Sequence, residues 1–170
     1  MKKRIVILFV MIILLLPGCK NPGSKGQTVE MDTDNAMTFA LFSEAAKAGD
    51  DAVVLVETRN NPGFLTMAVR VEYDTNAMSL TKAENGSVFW AYNFVPSKKL
   101  QSGCRMSWFI PSVPGNVEDG ELLKLHFHVF NDAKAGEYPV TVSPINDGGI
   151  VDRSKNLITI AAGSGAIKVN

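Results

Sequence analysis

The sequence predicts an all-β domain, built as a β-sandwich or barrel. About nine short apolar segments follow one another, separated by turn signals roughly every 8–12 residues. Several of these segments alternate apolar and polar residues, which is the pattern of a half-buried strand. No segment shows a sustained helical period. The chain beyond its apolar N-terminal segment is of the length expected for one domain with its own core.

The first residues carry the pattern of a bacterial export signal. Lys2, Lys3 and Arg4 precede an unbroken apolar run over residues 5–16, which ends at Pro17. A membrane-spanning helix needs about 20 apolar residues. Because the run is shorter than that and follows basic residues, it indicates a signal peptide.

The end of this run, Leu-Pro-Gly-Cys at residues 16–19, resembles the lipobox of bacterial lipoproteins, with proline as a mild departure. The resemblance implies that residues 1–18 are a lipoprotein signal peptide and that Cys19 carries a diacylglyceryl thioether. Two or more acyl chains anchor a protein stably. We therefore expect an exported protein, lipid-anchored at the bacterial cell membrane or cell surface.

The remaining chain divides into a tether and a domain. Residues 19–35 are polar and lack an apolar period, so we interpret them as a flexible tether from lipidated Cys19. The β-sandwich is predicted over residues 36–170. Its strand-like segments are residues 37–42, 53–58, 64–73, 87–95, 104–110, 122–129, 138–142, 157–161 and 166–169. Residues 74–81 are predicted as one helical turn.

The alternating segments assign side chains to an inner and an outer face. The inner set on three segments is Met67, Val69, Val71, Tyr73, Cys104, Met106, Trp108, Ile110, Leu123, Leu125, Phe127 and Val129. On two of these segments the opposite set is Thr66, Ala68, Arg70, Glu72, Leu122, Lys124, His126 and His128. A period of two predicts that the first set fills the core and the second faces outward.

Charge and cysteine content exclude several classes of function. Without the basic residues of the predicted signal, 14 basic residues face 17 acidic ones, a net charge of about −3. A nucleic-acid surface needs a basic stripe, which is absent from this sequence. With Cys19 acylated, Cys104 has no partner within the chain and is expected to be a buried small hydrophobe.

Six segments share an order and spacing with a known family: Ala48-Gly49-Asp50, residues 69–74 (VRVEYD), 104–109 (CRMSWF), 119–129 (DGELLKLHFHV), 133–140 (AKAGEYPV) and 165–169 (GAIKV). In this order they resemble a cohesin domain, and the resemblance covers about residues 37–170. The resemblance implies a nine-stranded jelly-roll sandwich, the plan that cohesins share with carbohydrate-binding modules. It also implies that a dockerin binds on one sheet face, built mainly from the third, fifth, sixth and eighth strands.

Carried onto this chain, the resemblance implies a set of partner-binding residues. They are Thr66, Ala68, Arg70, Glu72, Arg105, Ser107, Phe109, Leu122, Lys124, His126 and His128. The best-known cohesins carry an Asn and an Asp at the places of Thr66 and Ala68, so the dockerin specificity is expected to differ. From alternation alone these residues read as solvated positions of a half-exposed sheet; the resemblance favours an interface.

The resulting hypothesis is a cell-surface cohesin-like module that binds a dockerin-bearing partner, in polysaccharide degradation. Calcium is expected in the dockerin, and this chain is expected to need no cofactor. No catalytic motif is apparent, and we interpret the acidic cluster Glu118, Asp119 and Glu121 as a solvated loop rather than a glycosidase pair. We therefore expect that the protein is not an enzyme.

Two further interpretations stay open. His126 and His128 project from one strand face, where imidazoles suit Zn or Cu, but the sequence indicates no third ligand, so no metal site is predicted. A pH-sensitive interface is the milder reading of this pair. If Trp90, Tyr92 and Phe94 face outward, they could stack on sugar rings, making this a carbohydrate-binding surface lipoprotein. We expect instead that one set of these rings fills the core.

Overall fold

The computed structural model describes residues 36–43, 45–110, 116–146, 150–152 and 154–170. Cys19, the predicted signal peptide and the tether lie outside the described residues. The described chain forms ten strands and one 3₁₀ turn, Ser87–Phe89. The strands are β1 (Met37–Ser43), β2 (Asp51–Arg59), β3 (Thr66–Tyr73), β4 (Met78–Asn85), β5 (Asn93–Pro96), β6 (Cys104–Phe109), β7 (Gly120–Val129), β8 (Gly136–Pro144), β9 (Ile160–Ala161) and β10 (Gly163–Val169). The predicted all-β class is confirmed.

The strands form two five-stranded sheets. One, which we call the back sheet, has the order β4-β7-β2-β1-β9, and the other, the front sheet, has the order β10-β8-β3-β6-β5. Neighbouring strands are antiparallel except for the short parallel pairing of β1 with β9. No helix among the described residues is both long and apolar enough to cross a membrane.

The inner faces of both sheets contribute to one hydrophobic core. The front sheet supplies Val69 and Val71 from β3, and the back sheet supplies Leu125 and Phe127 from β7, all fully buried. Removing such a side chain from water stabilises the fold by about 1.5–3 kcal/mol each. The inner set predicted from alternation is therefore correct for these strands, and it explains why two layers form.

The segment predicted as a helical turn, residues 74–81, is different in the structure. A turn over residues 74–77 is followed by β4, which runs antiparallel to β7 at the edge of the back sheet. Met78 and Leu80 point into the core, but the register with β7 shifts between Leu80 and Lys82. This irregularity interrupts the alternation in the sequence, and it hid the strand.

The aromatic segment over residues 87–95 is not one continuous strand. The 3₁₀ turn carries Phe89 inward, where its ring centroid lies 5.3 Å from that of Phe64, and only β5 remains as strand. The Tyr92 ring lies 4.8 Å from the Phe64 ring, and its hydroxyl donates a hydrogen bond of 2.7 Å to the Phe64 carbonyl. The expectation that rings from this segment fill the core is confirmed, although Trp90 is 82% exposed.

Candidate partner-binding face

The front sheet brings seven of the predicted partner-binding residues together. Its two central strands, β3 and β6, are antiparallel neighbours, with Thr66 opposite Phe109 and Ala68 opposite Ser107. The seven residues are Thr66, Ala68, Arg70, Glu72, Arg105, Ser107 and Phe109. We call the outer surface of β8, β3, β6 and β5 the front face.

The other predicted residues do not share this face. Lys124, His126 and His128 lie on β7, which pairs with β2 and β4 in the back sheet. The outer surfaces of the two sheets of a sandwich point away from each other, so one flat partner surface cannot contact both. The prediction of one common face that includes Lys124, His126 and His128 was wrong.

The cause of this error lies in the strand count. Among the nine predicted segments, residues 122–129 are the sixth, whereas β4 makes this strand the seventh. Alternation could not reveal the mistake, because an outward polar row looks the same on either sheet of a sandwich. The third, fifth, sixth and eighth strands of the structure are in fact neighbours, in the order β8-β3-β6-β5.

Leu122 was also predicted to face outward, and it is fully buried. The pairing of β2 with β7 passes from Val56 opposite Leu123 to Glu57 opposite Glu121, so Leu122 is an extra residue in a β-bulge. A bulge changes the direction in which a side chain projects. Leu122 therefore belongs to the core, and its placement in a partner-binding surface was wrong.

The charged side chains of β7 are neutralised on the back face. His126 Nε2 lies 2.6 Å from Glu84 Oε2, and Lys124 Nζ lies 3.3 Å from a Glu121 carboxylate oxygen. Hydrogen bonds from Lys82 and then His126 hold the pKa of the Glu84 carboxyl below its ordinary value.

His128, the remaining predicted residue of β7, has a carboxylate partner as well. Its Nδ1 lies 2.8 Å from an Asp51 carboxylate oxygen. Within the described residues, no group of three His, Cys, Asp or Glu side chains could hold a metal ion. The two histidines are thus members of separate histidine–carboxylate pairs.

Two strands of the front face lie in segments predicted as strand-like, residues 138–142 and 87–95, but were not assigned to this face. β8 brings Thr141 opposite Glu72 and Ser143 opposite Arg70, while β5 brings Val95 opposite Ser107. A signal for the outward side of β8 existed, because inward valines at 140 and 142 leave Thr141 outward. The aromatic run before β5 concealed the short strand.

A shallow depression of about 230 Å³ lies between β3 and β6 on the front face. Ala68 is one of the residues that line it, and its side chain is a single, largely buried methyl group. Arg105 and Phe109 line the depression from β6, and Ile145 and Ile150 complete its wall. The side chain of Arg105 is oriented along its strand, because its Nε donates a hydrogen bond of 3.1 Å to Ser107 Oγ.

The front face combines apolar and cationic groups. Phe109 is 43% exposed and Val95 is 51% exposed, and they lie diagonally across the β5–β6 pair. Towards the other end of β6, Arg105 lies opposite Arg70. Aromatic, aliphatic and arginine side chains within a polar rim are typical of protein–protein interfaces.

Comparison with known proteins identifies the domain. A model of the cohesin domain family matches residues 37–169. The chain belongs to the cohesin family. The cohesin domain is a non-catalytic binding module. No curated protein sequence matches the chain.

Solved cohesin structures share this fold at low sequence identity. A type I cohesin in complex with a dockerin, from Clostridium thermocellum, is 16% identical with a TM-score of 0.65, over 80% of this chain and 100% of that chain. A non-cellulosomal cohesin from the archaeon Archaeoglobus fulgidus is 19% identical with a TM-score of 0.64, over 79% and 91% of the two chains. A type I cohesin from Pseudobacteroides cellulosolvens is 20% identical with a TM-score of 0.61, over 79% and 92%. The jelly-roll sandwich predicted from the resemblance is confirmed.

Proposed function

We propose that this protein is a lipid-anchored cohesin that binds a dockerin-bearing partner through its front face, at the bacterial cell surface. The observation that carries this proposal is the composition of the front face: a depression over Ala68, bordered by exposed Phe109 and by Arg105. Family membership supports the class of partner, because solved relatives include cohesins in complex with dockerins. We attribute no enzymatic activity to the chain.

The proposed location rests on the N-terminal sequence. The basic start, the short apolar run and Cys19 support export followed by lipidation of Cys19. In that arrangement residues 19–35 separate the domain from the membrane, by at most about 3.5 Å per residue. A cohesin held there would retain a dockerin-bearing enzyme or scaffold near the cell, which supports a role in polysaccharide degradation.

Calcium belongs to the partner in this proposal. The cohesin resemblance implies a dockerin that folds around calcium, whereas this chain is proposed to bind without a cofactor of its own. Binding is then expected to require calcium, because the dockerin folds around that ion. The front face itself contributes apolar, hydroxyl and guanidinium groups.

The test is binding of the full chain, purified in detergent, to a panel of dockerins with calcium and with a chelator. We expect calcium-dependent binding that Phe109→Ala weakens. Phe42→Ala is the matched control, because Phe42 lies on the outer side of the back sheet and is 46% exposed, close to the 43% of Phe109. Binding by no dockerin, or equal loss in both variants, would overturn the proposal.

One observation favours the carbohydrate-binding alternative, namely the exposure of Trp90. A single indole is a weaker platform than the aromatic row this alternative needs, because Phe89 and Tyr92 are buried and Phe94 packs against Trp108 at 5.1 Å. Pull-down of the full chain on insoluble polysaccharide, lost in Trp90→Ala and retained in Phe109→Ala, would support this second function.

A further inference from the structure

Two arginines lie directly opposite each other on the front face. Arg70 of β3 pairs in register with Arg105 of β6, and both residues are exposed. Directly opposite residues of an antiparallel pair have Cβ atoms about 4.5–5.5 Å apart, and like charges in this position are destabilising. The arrangement therefore places the Arg70 charge beside a second guanidinium on the part of the face where a partner would dock.

The surroundings of Arg70 contain little to offset this charge. Its neighbour on β8 is Ser143, and Glu72 lies two residues further along β3. No carboxylate of the described residues lies within 4 Å of the Arg70 guanidinium.

The back face differs in this respect. Lys82 Nζ lies 2.7 Å from Glu84, and Lys124 and His128 also have acidic partners there. The back face thus pairs Lys82 and Lys124 with carboxylates, whereas Arg70 on the front face has no such partner among the described residues and is left for an external group.

We propose that the dockerin surface recognised by this chain presents a carboxylate, from Asp or Glu, to Arg70, beside Arg105. This inference rests on the proposed function and specifies the chemistry of the partner. Planar guanidinium groups bind carboxylates through two parallel hydrogen bonds, which gives geometric selectivity as well as attraction.

A second anchor follows from the same face. Phe109 lies four residues from Arg105 on β6, a separation of about 13 Å at roughly 3.3 Å per residue. With Val95 beside it, Phe109 offers an apolar contact. The partner surface is therefore expected to carry a carboxylate and an apolar side chain about 13 Å apart.

The test is a double-mutant cycle between this chain and a calcium-loaded dockerin found to bind in the panel. In the dockerin, each exposed Asp and Glu outside the calcium loops is replaced in turn by Asn or Gln. We expect at least one of these changes to weaken binding about ten- to a hundredfold, as for a charged hydrogen bond. When this chain carries Arg70→Gln, the same change in the dockerin should weaken binding little further.

Arg59→Gln is the matched control, because Arg59 is an exposed strand arginine at the end of β2 in the back sheet, beside Glu57. It should leave the affinity unchanged. Salt gives an independent readout, since added salt screens exposed charges. The affinity should fall with rising salt for the wild type and for Arg59→Gln, and less steeply for Arg70→Gln.

The outcomes separate this inference from the proposed function. If no dockerin binds the wild type, both are overturned. If a dockerin binds and Arg70→Gln changes neither the affinity nor its salt dependence, dockerin binding stands and the acidic contact is overturned.

Discussion

Replacement of Leu122 by alanine distinguishes a core residue from an interface residue, because sequence analysis and structure assign this side chain differently. Leu122 is fully buried at the β7 bulge, whereas Phe109, predicted for the same surface, is 43% exposed. Truncation of leucine removes the equivalent of about three methylenes, at about 0.8 kcal/mol each. The cavity left behind raises the expected loss of unfolding free energy to about 3–5 kcal/mol.

The assay is urea unfolding of the full chain together with dockerin titration. If the free energy of unfolding falls by about 2 kcal/mol per molar urea, a loss of about 3 kcal/mol in that free energy lowers the urea concentration at the unfolding midpoint by about 1.5 M. Leu122→Ala should show this shift and retain the dockerin affinity of its folded fraction. Phe109→Ala should lose less than about 1 kcal/mol of stability, yet weaken binding. An unchanged midpoint in Leu122→Ala, with dockerin affinity lost, would refute the buried placement.

Three further predictions follow from local contacts. Gly86→Ala should lower the free energy of unfolding by about 1–3 kcal/mol, because an added Cβ would meet the Glu121 carbonyl oxygen at 1.9 Å. Gly136→Ala is the control and should be tolerated, because its Cβ would meet nothing within 4 Å. Equal melting temperatures of the two variants would contradict this prediction. Burial raises the pKa of the Cys104 thiol, so alkylation of the peptide that contains Cys104 should be slow in the native chain and fast in concentrated urea; comparable rates by mass spectrometry would place the thiol at the surface. Because the folded pKa of Glu84 lies below its ordinary value of 4.5, its contribution to stability is present above that value and is lost as the pH falls through the folded pKa. Glu84→Gln should therefore flatten the loss of melting temperature in acid, and parallel curves for wild type and variant would show that the contacts of Glu84 do not stabilise the fold.

The residues of regular strands were well predicted from sequence. In β3 and β6, Met67, Val69, Met106 and Trp108 alternate with the residues predicted to face outward, and all four are buried as expected. The same local rule failed where the backbone departs from regular pairing. The bulge turned Leu122 inward, and the shifted register of β4 made a strand resemble a helical turn.

Only part of the front face could be predicted from the sequence. Its β3 and β6 residues were identified, because the cohesin resemblance pointed to them and their alternation is uninterrupted. Val95 and Thr141 were not, since their strands are short or were not assigned to the face. The pairing of Arg70 with Arg105 depends on register between strands that are far apart in sequence, so inspection of either segment alone could not predict it.

The sequence by itself determined the fold class, the inward side of each regular strand and the expectation of a signal peptide with a lipidated Cys19. These properties depend on local patterns: side-chain periodicity, turn residues and the order of basic, apolar and cysteine residues. Only the tertiary structure decided which sheet each strand joins, and so separated β7 from β3 and β6. The physical reason is that both sheets of a sandwich bury one side and expose the other, so alternation shows where a side chain points but not which strand lies beside it.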